Sequence, residues 1–150
     1  MPNPPPKILI ARAIGGAGAI LLMIELAAAS GTTLLWVPFA TSIVMIMGSP
    51  EAPPAQPLRL LGGHMICATA GVVCTLVLGH EMWVAALAIG LSIFAMHKAD
   101  AFHPPAGISP LIIATSHAAP IYILSPVLIG ALILMAYAYV FHRLSGDKWP

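Results

Sequence analysis

A histidine, two prolines and a glycine stand together at residues 103–107 (His-Pro-Pro-Ala-Gly), the run best suited to binding a small anion. Proline suits the first turn of a helix, where its missing N–H would have no partner, and it drives the preceding residue to extended backbone. A helix is therefore predicted to begin at Pro104, with its first free amides at positions 106 to 108. Such amides and the helix macrodipole bind anions, and His103 would stand beside them as a donor. The predicted substrate-binding residues of this segment are His103, Pro104, Pro105, Ala106, Gly107 and Ile108. A tight interhelical turn without a ligand is the alternative interpretation.

A second polar segment runs from Ser49 to Arg59 and is closed by Gly62-Gly63-His64. Gln56 offers a side-chain amide, Arg59 offers a permanent positive charge, and the glycine pair allows close approach to the backbone. This segment is predicted to face the first from the same side of the membrane. It adds Gln56, Arg59 and His64 to the predicted substrate-binding residues. For Arg59, an anchor that extends to the lipid headgroups is the alternative.

Two acidic residues are predicted to have a proton-carrying or gating role, Glu25 and Asp100. Glu25 is the only acidic residue inside a predicted span. An intramembrane carboxylate is a functional candidate by default, although Glu25 could instead reach the headgroups. Asp100 lies midway in His97-x-x-Asp100-x-x-His103, a spacing at which ligands could converge on a transition metal.

A divalent-metal carrier is therefore an alternative, with His64 and His142 as further ligands. The prolines that follow His103 argue against it, because they should turn that histidine away from the preceding helix. No resident metal or cofactor is predicted.

The composition places the chain in a membrane. Of its 150 residues, 59% are hydrophobic and only 7% are charged, and the mean hydropathy is +0.96. Soluble domains carry about 25% charged residues. The net charge of +1 gives no reason to expect a nucleic-acid partner. An enzyme is not expected, because no Gly-rich phosphate motif, nucleophile elbow or paired carboxylates occur in the sequence. The lipid bilayer and a small anion are the expected partners.

The charged and proline-rich breaks divide the chain into six predicted spans, since a helical crossing needs about 20 mostly apolar residues. The spans are residues 12–30, 31–50, 60–80, 82–97, 104–116 and 121–142. The fifth is short, so a five-span bundle in which it dips in and returns is the alternative. The expected fold is a single-domain, all-α, polytopic membrane bundle over residues 1–150. It has five to six short spans and a half-length helix at the His-Pro-Pro motif.

The positions of the charged residues and a weak internal sequence similarity predict the topology and the assembly. Basic residues favour the cytoplasmic side, and with six spans and a cytoplasmic N-terminus all of them fall there: Lys7, Arg12, Arg59, Lys98, Arg143 and Lys148. A bacterial inner membrane is the expected location. The similarity between residues 38–42 (Pro-Phe-Ala-Thr-Ser) and 110–116 (Pro-Leu-Ile-Ile-Ala-Thr-Ser) is consistent with an inverted repeat of three plus three spans. A stripe of Gly15, Gly18 and Ala19 suits close helix packing within or between subunits, and a homo-oligomer is expected.

Five short elements stand in order along the chain: Pro38-Phe-Ala-Thr-Ser, Ser49-Pro50, Pro54-Ala-Gln-Pro, Gly63-His64 and His103-Pro-Pro-Ala-Gly. In this order and spacing they resemble the HPP family of integral membrane proteins, which is named for the motif found here at residues 103–105. The resemblance implies a small multi-pass membrane protein, and plastid members of the family are linked to nitrite transport. It therefore implies passage of a small monovalent anion, with nitrite as the leading candidate. A metal carrier and a non-transporting scaffold or sensor are the alternatives. A cavity that reaches His103 would favour transport over the scaffold.

Overall fold

The chain folds into a bundle of helices joined by short turns. The computed structural model describes residues 4–31, 37–147 and 149. The six α-helices are α1 (Pro6–Ser30), α2 (Ala40–Gly48), α3 (Pro57–Leu78), α4 (Met82–Lys98), α5 (Ser109–Ser116) and α6 (Ile129–Ser145). Tight 3₁₀ turns precede four of them, at Val37–Phe39, Pro53–Ala55, Pro104–Ile108 and Pro120–Ile123. A kinked segment, Leu124–Leu128, in which Ser125 is extended, leads into α6. No strand occurs in the described residues, so the predicted all-α fold is confirmed.

Prolines and glycines set the boundaries of the longest helices. Pro6 and Pro57 stand in the first turns of α1 and α3, where a proline removes no helical hydrogen bond. Gly31 and Gly146 end α1 and α6 in the left-handed region, with φ of 68° and 74°. The spans predicted at 12–30 and 121–142 are too short, since α1 starts at residue 6 and α6 ends at residue 145. A charged side chain near a helix end does not interrupt the backbone hydrogen bonds, so the charges were poor boundary markers.

The long helices have the length and surface of membrane spans. Three helical stretches are long and apolar enough to cross a membrane, Pro6–Ser30, Pro57–Leu78 and Pro120–Ser145, and two shorter apolar ones are Val37–Gly48 and Met82–Lys98. Large apolar side chains cover the outside of the bundle; for example, Val77 is 74% exposed and Phe94 is 64% exposed. Soluble monomers rarely expose apolar surface on this scale. The predicted membrane bundle is confirmed, with lipid as the expected solvent of this surface.

Side-chain contacts define two ends of the bundle. At the motif end, which carries the loop of residues 99–108, Arg12 near the start of α1 bonds to Asp147 beyond the end of α6. At the opposite end, the rings of His80 and His117 stack with centroids 4.3 Å apart. Successive helices run in alternating directions between these ends, and the short fifth segment extends from one to the other. The choice between six spans and five stays a prediction, since the short α5 is not among the helices long and apolar enough to cross a membrane. The inverted repeat stays a prediction.

The small-residue stripe of α1 packs inside the chain. The ring of Phe141 occupies the space that a side chain on Gly15 would need, and the Tyr137 hydroxyl lies against Gly18. The same hydroxyl donates to the carbonyl oxygen of Gly15 at 3.0 Å. The stripe therefore seats α1 on α6, which is the within-subunit option. The homo-oligomer stays a prediction.

Candidate functional site

Three polar side chains from separate parts of the chain meet inside the bundle. Ser42 of α2 lies between His64 of α3 and His103 of the loop after α4. Its Oγ is 2.9 Å from His64 Nε2 and 2.8 Å from His103 Nε2. All three residues are 0% exposed. The other ring nitrogen of His103, Nδ1, lies 2.6 Å from the carbonyl oxygen of Pro54. We refer to Ser42, His64 and His103 as the polar cluster.

The contacts of the polar cluster fix where its protons lie when both rings are neutral. A carbonyl oxygen only accepts, so His103 Nδ1 must carry a proton and donate to Pro54. His103 Nε2 is then bare and accepts from the Ser42 hydroxyl, and the Ser42 oxygen accepts from His64 Nε2–H. The remaining nitrogen, His64 Nδ1, is buried and has no hydrogen-bond partner in the described residues. In the neutral cluster all three hydrogen bonds therefore point in one direction, from His64 to Pro54. One ring nitrogen, His64 Nδ1, carries no proton and has no partner.

Burial favours the neutral form of this cluster. Removal from water lowers the pKa of His103 below its ordinary value of 6.5, and the hydrogen bond to the Pro54 carbonyl offsets only part of that effect. The ring of Phe39 packs against His64 with centroids 4.6 Å apart, which adds an apolar neighbour. A positive charge placed here would therefore need a compensating negative charge close by.

Glycines of α3 let the loop before the motif approach closely enough to place His103. A Cβ on Gly63 would stand 2.6 Å from the Cβ of His103, and a Cβ on Gly62 would stand 2.8 Å from that of Ala101. About two turns further along α3, Gly71 receives the backbone of Pro110 in α5. The predicted close approach at the Gly-Gly pair is confirmed, although it is the protein's own loop that fills the space.

The loop between α2 and α3 holds the other side of His103. The side-chain amide of Gln56 donates to the carbonyl oxygens of Pro50 at 3.1 Å and Ala52 at 3.3 Å, which shapes this loop. Ala55 accepts a 2.9 Å hydrogen bond from the indole of Trp149, so the end of the chain is fastened to the same loop. Gln56 was predicted to bind substrate, and here its amide bonds within the loop that carries the Pro54 carbonyl. Substrate binding by Gln56 stays a prediction.

The motif itself differs from the predicted helix start. His103 is extended as predicted, with φ of −132° and ψ of 89°, but Pro104–Ile108 is a 3₁₀ turn that leads into α5. In a 3₁₀ turn each amide bonds to the carbonyl three residues earlier. The Ala106 amide accordingly donates to the His103 carbonyl at 3.0 Å. The prediction of a free amide at Ala106 was wrong, and a short 3₁₀ turn lacks the dipole of a full helix.

A groove runs along the side of the motif. It has a volume of about 720 Å³ and is lined by α2 from Thr41 to Gly48, by Ser49 and Ala52, and by Pro104, Pro105 and Ile108. Thr41 and Pro104 are the chain neighbours of Ser42 and His103, so the groove lies one residue away from the polar cluster. A Cβ on Gly107 would meet no atom within 4 Å. Pro104, Pro105, Gly107 and Ile108 therefore border open space, while Ala106 and the His103 ring are fully buried.

The other predicted residues lie nearer the surface. Arg59 donates to Asp100 at 2.8 Å, and Asp100, with φ of 50°, is 86% exposed. Together with Gln56 they line a second pocket of about 470 Å³. Glu25 is exposed on α1, and no hydrogen bond or ion pair joins it to another group in the described part of the chain. The structure thus brings the two predicted polar segments together but leaves Glu25 apart.

A charged cluster at the motif end is absent from the sequence-based prediction. Arg12 is 9% exposed and donates to both carboxylate oxygens of Asp147, at 2.7 and 3.2 Å, and to the carbonyl of Gly48 at 2.9 Å. Its guanidinium also lies 3.4 Å from Glu51. Paired carboxylates of this kind allow an arginine to be buried. This charged cluster joins α1, the end of α2 and Asp147, which follows α6.

The residues of the metal alternative do not converge. His97 is exposed and stacks on Phe102 with centroids 4.1 Å apart, whereas His103 points into the bundle. His142 binds the Ile46 carbonyl and lies beside Asp147, not beside His64. Among the described residues, no group of three or more His, Cys, Asp or Glu side chains could hold a metal ion.

Comparison with known proteins assigns the chain to a family. Residues 1–150 match the family model described as HPP, transmembrane region. The chain belongs to the HPP family. A transmembrane protein of Dictyostelium discoideum is 35% identical over an alignment of 128 residues that covers 79% of this chain and 41% of that protein. A second transmembrane protein of the same organism is 36% identical over an alignment of 118 residues that covers 73% of this chain and 41% of that protein. The chain thus spans about two-fifths of the length of these relatives. No solved structure matches it.

Four of the five elements that carry the HPP resemblance meet at the polar cluster. Ser42 closes the first element, Pro54 opens the third, and Gly63-His64 and His103 belong to the fourth and fifth. Sequence reasoning included His64 and His103 among the site residues but missed Ser42 and the carbonyl of Pro54. The available signal for Ser42 was a hydroxyl in the middle of an uncharged span. A backbone carbonyl carries no such signal, because its position depends on the folded loop.

Proposed function

We propose that this chain passes a small monovalent inorganic anion across a membrane without converting it chemically, with nitrite as the leading candidate. The observation that supports this best is the Ser42 hydroxyl, which bridges two fully buried histidine rings from separate segments. Polar groups inside a membrane bundle are costly and typically mark a substrate or ion pathway. The link between plastid HPP proteins and nitrite supports the choice of ion.

The chemistry of the polar cluster favours an anion over a cation. It offers N–H and O–H donors, and its histidines become positive when protonated. No carboxylate bonds to Ser42, His64 or His103 in the described residues. The donors of the neutral cluster are already used within the cluster, but protonation would add a positive charge and a free N–H at His64 Nδ1 that an anion could accept. A metal cation would instead need several oxygen or nitrogen ligands that converge. The alternative of a divalent-metal carrier has no such group to support it.

The groove beside the motif supplies an approach to the cluster. It borders Thr41 and Pro104, so a modest outward shift of the 3₁₀ turn would open a path from the groove to Ser42. The His103 ring is 0% exposed, which corresponds to a closed conformation of this path. The same closed packing favours the second candidate, a non-transporting scaffold or sensor. Transport therefore requires that the cluster open during turnover.

The orientation and assembly belong to the same proposal. Five basic residues lie at the motif end: Lys7, Arg12, Arg59, Lys98 and Arg143. The sixth, Lys148, lies outside the described residues. Because basic residues favour the cytoplasm, we place the motif end and the N-terminus there, in a bacterial inner membrane. Packing of several copies would seal a thin six-span bundle, which supports a homo-oligomer.

Uptake into liposomes distinguishes the three candidate functions. The full chain is purified and reconstituted, and uptake of nitrite and of Mn²⁺ is measured against protein-free vesicles. Anion passage predicts nitrite uptake at least about tenfold above the protein-free background, with no gain for Mn²⁺. Uptake of Mn²⁺ alone would instead support the metal carrier. A folded protein that passes neither ion would contradict the proposal and favour the scaffold or sensor.

A further inference from the structure

The polar cluster has an entry point for a proton at one end. In its neutral form, every donor points from His64 through Ser42 and His103 to the Pro54 carbonyl. The row ends in a carbonyl on one side and in the unpartnered, buried His64 Nδ1 on the other. A neutral imidazole nitrogen without a proton is a base. His64 Nδ1 is therefore the position at which the cluster can accept a proton without losing any of its hydrogen bonds.

A proton taken up at His64 Nδ1 can be passed along the row. As the new N–H bond forms at Nδ1, the His64 Nε2 proton moves to the Ser42 oxygen, and the original Ser42 hydroxyl proton moves to His103 Nε2. Each heavy-atom separation, 2.9 and 2.8 Å, is a direct hydrogen bond. The cluster gains one proton and one positive charge, with no change in oxidation state. His103 still donates to Pro54, and Ser42 now donates to His64.

The surroundings of the rings limit the cluster to one proton. In the described part of the chain, the hydrogen-bond and ring contacts of the two rings are the Ser42 hydroxyl, the Phe39 ring, the Pro54 carbonyl and the rings themselves. No acidic or basic side chain forms an ion pair with either ring in the described residues. The ring centroids are 5.3 Å apart, so two imidazolium charges would repel strongly in this buried site. One proton shared by two rings is the stable charged form.

We propose that each anion crosses together with one proton held by Ser42, His64 and His103, so that passage is electrically neutral. This inference rests on the proposed anion passage and names its coupling ion. A buried imidazolium and a buried anion are each costly alone, and each makes the other's burial less costly. Burial also lowers the pKa of His103, which agrees with a cluster that stays neutral until the anion arrives.

The coupling is tested by counting protons and by setting the membrane voltage. Proteoliposomes with a pH dye inside receive a nitrite gradient, and valinomycin with potassium sets the voltage. Protein-free vesicles give the background from nitrous acid. Proton coupling predicts about one proton per nitrite and an uptake rate that changes less than about twofold for 100 mV. A rate that rises steeply with voltage, without acidification, would overturn coupling and leave anion passage intact. Absence of any nitrite uptake would overturn both.

Nitrogen NMR tests the shared proton without any flux. The full chain is labelled with ¹⁵N-histidine in detergent, and His64→Gln and His103→Gln variants assign the signals. At pH 8 the expected tautomers are Nε2–H for His64 and Nδ1–H for His103, and acidification should add one proton shared by the two rings. Ser42→Ala should separate their titrations, while Ser92→Ala, a buried serine bonded to its own helix at Ala88, should not. The same tautomer in both rings, or two protons taken up in one step, would refute the relay.

Discussion

The bundle holds one pair of adjoining histidines near each end, and the two pairs differ in their contact with water. His64 and His103 are fully buried, with centroids 5.3 Å apart and a serine hydroxyl between them. His80 and His117 stack directly, with centroids 4.3 Å apart, at the surface turns of the opposite end. Water and lipid headgroups can balance a charge at this surface pair, of which His117 is exposed and His80 is half-buried. At the buried pair, only a bound ion or a transferred proton can do so.

This difference decides where ion binding can be coupled to protonation. Where water can balance a charge, the binding of one ion imposes no link to the binding of another. A buried cluster does link the two ions, because the free-energy cost of burying one charge depends on whether an opposite charge is already buried beside it. The positioning of the buried pair is correspondingly demanding: three glycines of α3, the loop after α2 and the Pro54 carbonyl all contribute. We infer that the fold around the motif serves to place His103.

The largest expected effect comes from removing the close approach that places His103. Gly63→Ala would put a Cβ 2.6 Å from that of His103, which the backbone can relieve only by moving the loop. Overpacking of this kind costs about 1–3 kcal/mol. The matched control is Gly90→Ala on α4, where a Cβ meets no atom within 4 Å. Thermal unfolding in detergent should show a clear loss for Gly63→Ala and none for Gly90→Ala. Equal melting temperatures would mean that the approach of loop and helix is not needed.

The two histidine pairs should also differ in their importance for flux. His103→Gln removes the ring that ends the proton row but keeps an amide that can reach Pro54. We expect nitrite uptake to fall at least about tenfold, equivalent to roughly 1.4 kcal/mol. His117→Gln alters the surface pair of His80 and His117, and we expect nitrite uptake within about twofold of the wild type. A comparable loss in both variants would erase the distinction between the pairs.

A smaller effect is expected in the pH dependence of stability. The folded-state pKa of His103 lies below 6.5, so between that pKa and 6.5 the unfolded chain binds more protons than the folded one. Stability should therefore be intact above pH 6.5 and fall as the pH decreases below it, by about 1.4 kcal/mol for each unit of depression. Denaturation in detergent between pH 8 and pH 5 would measure this. The His103→Gln variant should show a flatter profile, and an unchanged slope would assign the effect to other groups.

The helical fold could be predicted well from sequence because few backbone structures are stable in lipid. A backbone in a membrane must satisfy its own hydrogen bonds, so long apolar runs become helices. The six segments follow from this, including the short one at residues 104–116. Exact bounds did not follow: Arg12 was taken as a helix boundary, yet it lies inside α1 and pairs with Asp147, which is 135 residues away. A partner that distant in sequence cannot be read from local pattern.

The site was predictable only in part, for two physical reasons. His64 and His103 stand out because ionisable residues are rare in apolar spans. Ser42 does not, since serines commonly bond to their own helix, as Ser92 does. The free amide expected at Ala106 was wrong because the prolines begin a 3₁₀ turn, in which that amide is already used. Local sequence identified the ionisable groups, and tertiary structure decided their partners.

The most direct test of the account is nitrite uptake by proteoliposomes that contain wild-type protein, Ser42→Ala or Ser92→Ala. Both serines are 0% exposed helix residues, but only the Ser42 hydroxyl links His64 to His103. Its removal leaves a buried donor and acceptor unpaired, which costs about 1–3 kcal/mol. We predict that Ser42→Ala folds and lowers uptake about tenfold or more, while Ser92→Ala stays within about twofold of the wild type. Full uptake in a folded Ser42→Ala protein would contradict the role of the bridged histidines.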